Sequence, residues 1–552
     1  MTDKIKIKIL NFPDSLEEVS KGTTLLNILP TSLRKKYYVC LVNGRARELS
    51  FKISFDANLE YLELNHSEAG KAYEASLRFL IAMALYEINP KLNIRFSYNV
   101  SRSIFCEFIS KDFKCDSSFV NQLSEKMNKI IEKDLPIERV TVSNNEASEL
   151  YKKFNMSDKL DILTYRPEKD VHLYKCGNYY NYMHSYMVPS TGYLTRYVLK
   201  PYAPGIIIQY PRYELNGDIP SFIEAPIYGR TIKAARSWAE MIGTHTIYHI
   251  NEKIEEKTIN DFIQICETKH NNMIAELGEL IKKDIENIRL IAIAGPSSSG
   301  KTTFSNRLRI ELMSRGIKPV MISIDDYYID RDKILPNEFG ELDLEDINTI
   351  DVDLFNQHLY ALINGEEVEL PHFDFTIAKR VKGKKIKVDP SSPIIIEGIH
   401  ALNELMSSSI PKHQKFKIFI SPQIQVNIDN HSPMSTTDLR LIRRIVRDSE
   451  FRNAPAVKTI SMWPSVRRGE FKWIYPHQEQ SDYVFNSELS YELCILKKYA
   501  LPLLKEIKPD DQYYPVANRL IKYLKYFKPL DESLIPCNSL LREFIGGSCF
   551  NV

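Results

Sequence analysis

Four groups of residues in the second half of the chain have types and spacings suited to handling phosphate. Gly295-Pro296-Ser297-Ser298-Ser299-Gly300-Lys301-Thr302 fits G-x-x-x-x-G-K-[ST] at every fixed position. Glycines at two of those positions let the backbone curl so that its N–H groups point inward at a phosphate. The N-terminus of the helix that follows the loop adds the positive end of its dipole. In such a loop Lys301 reaches the β and γ phosphates and the Thr302 hydroxyl holds Mg²⁺. Gly295, Ser297, Ser298, Ser299, Gly300, Lys301, Thr302 and Thr303 are therefore the expected ATP-binding set. A Gly/Ser-rich loop also arises by chance. The context argues otherwise: a buried-strand pattern, Leu290-Ile291-Ala292-Ile293-Ala294, precedes it and helical sequence from Thr303 to Ile310 follows.

The second group is Asp325-Asp326, at the end of the apolar run Pro319 to Ile324. A strand ending in carboxylates places them at the C-terminal edge of a parallel sheet, where such sheets bind ligands. One of them, Asp325, can accept a hydroxyl proton during phosphoryl transfer. The third is Glu397, ending the run Pro393-Ile394-Ile395-Ile396, where a carboxylate orients a magnesium water. The fourth is Arg440, Arg443, Arg444 and Arg447, which share one face of a helix at i, i+3, i+4, i+7. Four cations on one face repel each other unless an anion joins them, so phosphate is the partner they suggest. Taken singly, an aspartate after a strand is more often a cap, and a basic helix face is more often solvated. Their company with the glycine-rich loop reverses both weights.

Strand, loop, helix and strand in this order indicate a parallel α/β sheet. Ahead of it lie three other regions. Residues 1–64 read as a small β-grasp-like α+β domain. Lys4 to Leu10 alternates with period two, and Tyr37 to Val42 runs into the tight-turn pair Asn43-Gly44. Residues 65–215 read as a second α+β domain with a helix over Ala72 to Tyr86, and residues 216–286 as a helical connector. The α/β region is 287–552. A multidomain chain is what 552 residues lead one to expect.

Composition adds limits rather than direction. Lys plus Arg (73) nearly cancels Asp plus Glu (71), so no global field favours nucleic acid or membrane. The eight cysteines never form C-x-x-C, which argues against a zinc ribbon or a thioredoxin-like site. No apolar run approaches the length of a membrane span and no secretory signal is visible. The expectation is a cytoplasmic protein with reduced thiols and no membrane partner.

The four groups together resemble the uridine kinase and phosphoribulokinase branch of P-loop kinases over roughly 288 to 500. The supporting segments are Ser323 to Tyr328, Leu370 to Phe375, Ile396 to Ile399 and Arg440 to Asp448. The resemblance implies ATP and Mg²⁺ as cofactors, and Asp325 and Lys301 as catalytic residues with Arg443. It implies Arg444 and Arg447 beside the nucleotide phosphates. Thr302 and Glu397 fall at the metal. Asp325, Asp343, Phe373, Ile399 and Arg440 fall at the acceptor, with Asp343, Glu345 and Asp346 all open as the carboxylate for the ribose. Phe373 stands where the family has tyrosine, and Ala378 where it has a base-reading histidine, which loosens the expectation of uridine. A nucleoside 5′-hydroxyl is the expected acceptor. A sugar phosphate is the enzymatic alternative, and a nucleotide-dependent RNA- or ribosome-binding regulator the non-enzymatic one.

The first half resembles threonyl-tRNA synthetases: residues 1–64 their TGS domain, residues 65–215 their editing domain. His66-Ser67-Glu68-Ala69-Gly70 stands against H-x-x-x-H, and Gly177 to Gly192 matches a second segment. Only His66 of the editing constellation survives. The other positions hold Gly70, Met183 and Met187, with Cys176 and His184 nearby but out of register. The resemblance therefore implies a scaffold without hydrolysis, offering RNA or a regulatory ligand a surface. A homo-oligomer is the expected assembly.

Overall fold

The computed structural model describes residues 4–12, 16–109, 113–256, 258–336, 343–374 and 377–551. Phe375 of the segments quoted above lies outside the described residues, as do Met1 to Asp3.

Period-two sequence builds the first layer. In Lys4–Ile9 the isoleucines Ile5, Ile7 and Ile9 are buried and the lysines exposed, because successive side chains of a strand face opposite ways. This strand sits inside a five-stranded sheet ordered Leu16–Ser20, Lys4–Ile9, Ala57–Leu62, Val39–Val42, Arg45–Glu48. Asn43 and Gly44 both take positive φ and close the hairpin between the last two strands. The next region packs the helix Ser67–Ile88 against a four-stranded and a three-stranded antiparallel sheet. Its core includes Leu77, Phe79, Tyr179, Met183 and Met187.

The α/β region holds a five-stranded sheet ordered Val320–Ser323, Ile394–Glu397, Leu290–Ala294, Lys415–Ser421, Tyr483–Asn486, parallel throughout. All five residues of Leu290–Ala294 are buried. A central parallel strand is covered on both faces, and its sequence is continuously apolar for that reason. The helices Ile247–Glu255 and Ile259–Lys283 do not form a free-standing spacer. Phe262, Leu277 and Ile281 share one core with Ile291, Ile293, Phe304 and Leu308, so position 286 divides segments of chain but not hydrophobic cores.

The two halves interlock. A short hairpin with strands Asn427–Asp429 and Ser432–Pro433 enters the second region, where the Phe96 N–H donates to the Asn430 carbonyl at 2.8 Å. Lys159 and Asp429 form an ion pair at 2.9 Å with 1% and 0% of their side chains exposed. A buried pair of this kind tolerates the loss of neither partner. Among the described residues no helix is long and apolar enough to cross a membrane.

Candidate functional site

The phosphate loop leaves the central strand at a place that only glycine can occupy. A Cβ on Gly295 would run into the Ile420 carbonyl of the adjacent strand. Gly300 has φ +89° and Ser298 φ +58°, left-handed conformations that turn the chain tightly before the helix Lys301–Ser314. The Lys301 ammonium folds back onto the Gly295 carbonyl at 3.1 Å and the Pro296 carbonyl at 3.5 Å. The hydroxyls of Ser298, Ser299 and Thr303 are buried without a partner among the described residues. Buried hydroxyls usually find partners, and three orphans on one loop fit a ligand rich in acceptor oxygens.

Acidic side chains converge on this loop from three segments. Val320–Ser323 passes into a 3₁₀ turn, Ile324–Tyr327, that carries Asp325 and Asp326. The Tyr328 N–H donates to the Asp325 carbonyl at 3.5 Å, but no described residue donates to its carboxylate; burial raises its pKa, against the Lys301 ammonium. Asp326 is used structurally: its Oδ1 accepts from the His372 ring at 2.9 Å and from the Phe373 N–H at 3.2 Å, fastening the strand Glu367–Asp374, one arm of a hairpin with Lys379–Lys387, to the turn. Glu397 accepts a bond from Ser323 Oγ at 3.3 Å. Burial, then the nearby Asp325, push its pKa up to about 7. Gly398 makes this closeness possible, since a Cβ there would meet Ile324 at 2.8 Å.

Of the three candidate carboxylates after residue 342, Glu345 faces the site. Its Oε2 is buried and has no partner among the described residues. Burial lifts its pKa to about 7 in the fields of Arg444, Glu470, Lys301 and Asp325. Asp343 instead accepts the Glu345 N–H at 3.2 Å, and Asp346 caps the 3₁₀ turn Ile347–Thr349 and pairs with Lys472 at 3.3 Å. Phe373 is buried with its ring 5.6 Å from that of Tyr328, and Ile399 is half-buried beside the same core.

The arginine face has anions of its own. Arg440, 1% exposed, is bidentate on Glu470 and donates to the Ser297 carbonyl at 2.9 Å. Arg443, fully buried, holds Glu492 at 2.6 and 2.9 Å and reaches the Ser298 carbonyl at 3.4 Å. Arg444 joins Asp448 at 3.2 Å and Ser297 Oγ at 3.0 Å, and Arg447 joins Asp448 at 3.2 Å. The repulsion expected of four cations is thus relieved by Glu470, Glu492 and Asp448. Arg440, Arg443 and Arg444 brace the loop from behind through Ser297 and Ser298.

The surviving editing position has a local role: His66 Nδ1 accepts the Glu68 N–H at 3.2 Å and caps the helix Ser67–Ile88. Met183 and Met187 are packed in the core. Cys176 is buried there too, and His184 lies against Tyr523 of the α/β region with ring centroids 4.3 Å apart.

Residues 290–491 match the model of the phosphoribulokinase/uridine kinase family. A uridine kinase of Staphylococcus epidermidis is 30% identical over 207 residues, covering 37% of this chain and 91% of that protein. The chain belongs to this family. Its first half is similar to threonine–tRNA ligases: that of Desulforamulus reducens is 30% identical over 193 residues, 34% of this chain. The chain spans only 30% of that ligase's length. A solved structure titled as a possible uridine kinase from Bacillus stearothermophilus is 18% identical, covers 39% of this chain and 98% of its own, and superposes with a TM-score of 0.28. Family membership and the loop geometry make the α/β region a P-loop kinase fused to a synthetase-like first half.

Proposed function

We propose that this family member phosphorylates the 5′-hydroxyl of a nucleoside, with ATP as donor and Mg²⁺ as cofactor. The observation that carries the proposal is the Asp325 carboxylate, which accepts no hydrogen bond from any described residue and is opposed by Lys301 at the mouth of the phosphate loop. A carboxylate kept clear of donors there is placed to take the hydroxyl proton as the oxygen attacks. Lys301, held among the described residues by two loop carbonyls, can turn to the transferring phosphoryl group and stabilise its charge. Glu345 offers an unpartnered carboxylate oxygen to the acceptor's hydroxyls.

The residues suit magnesium as well. No cluster of three His, Cys, Asp or Glu side chains forms an all-protein metal cage among the described residues. Magnesium usually binds through one or two carboxylates plus substrate phosphates, and Thr302 with Glu397 would supply the protein's share. Once bound, the ion would offset charge on the phosphate oxygens. The carboxylates of Glu397 and Asp325, crowded enough to raise the Glu397 pKa, would be relieved by a cation.

Phe373 and Ile399 give the acceptor an apolar wall, so several nucleosides should be used rather than uridine alone. Residues 4–215 are proposed to act on the kinase as a recognition or regulatory module. Incubation with ATP, Mg²⁺ and either nucleosides or sugar phosphates tests the proposal. A nucleoside 5′-monophosphate is the expected product, and a sugar bisphosphate with no nucleotide product would overturn it.

A further inference from the structure

The segment Ile535–Asn551 folds as a hook over the phosphate loop. Leu540, Leu541 and Phe544 are buried, and a Cβ on Gly300 would run into the Leu540 side chain. The Thr303 N–H, in the first turn of the phosphate-loop helix, donates to the Glu543 carboxylate at 2.9 Å. The Phe544 ring lies 5.0 Å from the guanidinium of Arg443. Ser539 Oγ donates to Glu267 of the helix Ile259–Lys283, which also takes the Tyr491 hydroxyl at 2.6 Å. Backbone N–H groups of this helix start are the ones a nucleotide's phosphates need. A carboxylate already seated on one of them satisfies the donor and repels a phosphate.

Two cysteines close the base of the hook. The Cys549 N–H donates to the Cys537 carbonyl at 3.0 Å, which sets the residues side by side, and both side chains are exposed. Of the chain's eight cysteines, five are buried, Cys115 is intermediate, and only Cys537 and Cys549 are exposed.

We propose that Cys537 and Cys549 form a thiol–disulfide site whose oxidised state clamps the hook onto the phosphate loop and holds off the nucleotide; this rests on the proposal that the loop binds ATP. The oxidant is a low-molecular-weight disulfide such as glutathione disulfide. One cysteine thiolate attacks it and releases a first glutathione thiolate, leaving a mixed disulfide. The second cysteine thiolate attacks the protein sulfur of that mixed disulfide, forming the Cys537 Sγ–Cys549 Sγ bond and releasing the second glutathione thiolate. Two electrons pass from the cysteines to the oxidant, and the two thiol protons end on the released glutathiones. Closing the loop removes conformations in which Glu543 and Leu540 swing clear of Thr303 and Gly300. In the dithiol state the nucleotide competes with Glu543 on its own affinity alone.

The test uses the full chain, reduced or equilibrated with glutathione disulfide, beside Cys549→Ser. Peptide mapping should find Cys537 joined to Cys549. Amide exchange over 535–551, read without nucleotide, should slow at least tenfold on oxidation. The Kd of a non-hydrolysable ATP analogue should rise at least tenfold, return with dithiothreitol, and stay constant in Cys549→Ser. Thiols that remain alkylatable, exchange that does not slow, or an unchanged Kd would each overturn the clamp. Slowed exchange in a protein whose reduced form binds no analogue would strike the ATP proposal and leave the clamp standing. Glu543→Gln should bind the analogue more tightly than wild type. Weaker binding would place the carboxylate within the nucleotide site and overturn its inhibitory role.

Discussion

Glu68 and Arg519 lie 451 positions apart in the chain and meet at 2.9 Å. The same guanidinium holds Asp438 with bonds of 3.0 and 3.2 Å. Asp438 is in the first turn of the helix that carries Arg440, Arg443, Arg444 and Arg447 to the phosphate loop. One cation therefore joins the synthetase-like first half to the helix bracing the kinase site. Burial would raise the Glu68 pKa, but Lys71, Arg519 and His66 outweigh it and hold it at about 2.

Arg519→Ala should leave Glu68 and Asp438 buried without their shared partner, at a cost of about 3–5 kcal/mol in stability. Denaturant unfolding measures this. A loss below 1 kcal/mol would mean that the triad contributes little to the docking of the halves.

Asp325→Asn should lower turnover by about 10²–10⁴-fold, the range for removing a general base, with ATP binding retained. Asp326→Asn should act more mildly and mainly on the acceptor KM, because Asp326 fastens the hairpin at His372 and Phe373. Steady-state kinetics of the two variants decide it, and inactive Asp326→Asn beside near-normal Asp325→Asn would exchange their roles.

Glu345 gives the site a pH signature. Its carboxyl, raised to about 7 by burial, is neutral below that pH and ionised above it. The ionised form is an acceptor at both oxygens, whereas the neutral form carries a proton on one and accepts more weakly there. The acceptor KM should therefore rise about tenfold per unit as pH falls below 7, and flatten above it, following the protonation of a single group. Glu345→Gln should show a high KM without this limb. A limb that persists in Glu345→Gln belongs to another group.

The first half should not deacylate mischarged threonine tRNA. Gly70, Met183 and Met187 supply no metal ligand or proton shuttle, and both methionines are packed in the core. Deacylation by the full chain that disappears in His66→Ala would show that His66 does more than cap its helix.

Much of the architecture was legible where its cause is local. The alternation of Ile5, Ile7 and Ile9, the Asn43-Gly44 turn and the glycine-rich loop each state their own geometry. The placing of Lys301, Asp325 and Glu397 near one edge of the parallel sheet was legible, because each lies just after or at the end of one of its strands. Asp343, Glu345 and Asp346 could not be told apart, because the choice depends on which one packs against Gly469 and faces Arg444. The counter-ions of the arginine face were equally hidden. Glu470 and Glu492 come from other segments, 30 and 49 positions from their arginines, and no helical spacing announces them. The hook at Ile535–Asn551 carries no motif; only its contact with Thr303 and Gly300 gives it meaning.

Transfer of labelled γ-phosphate from ATP to a panel of nucleosides, by the wild-type chain and by Lys301→Ala, bears on the phosphotransferase assignment most directly. The wild type should yield labelled nucleoside 5′-monophosphate. Lys301→Ala, folded by circular dichroism, should fall by about 10²–10³-fold or more, as expected on losing a preorganised stabiliser of transition-state charge. Equal transfer by the folded variant, or none by the reduced wild type to any nucleoside, would contradict the assignment.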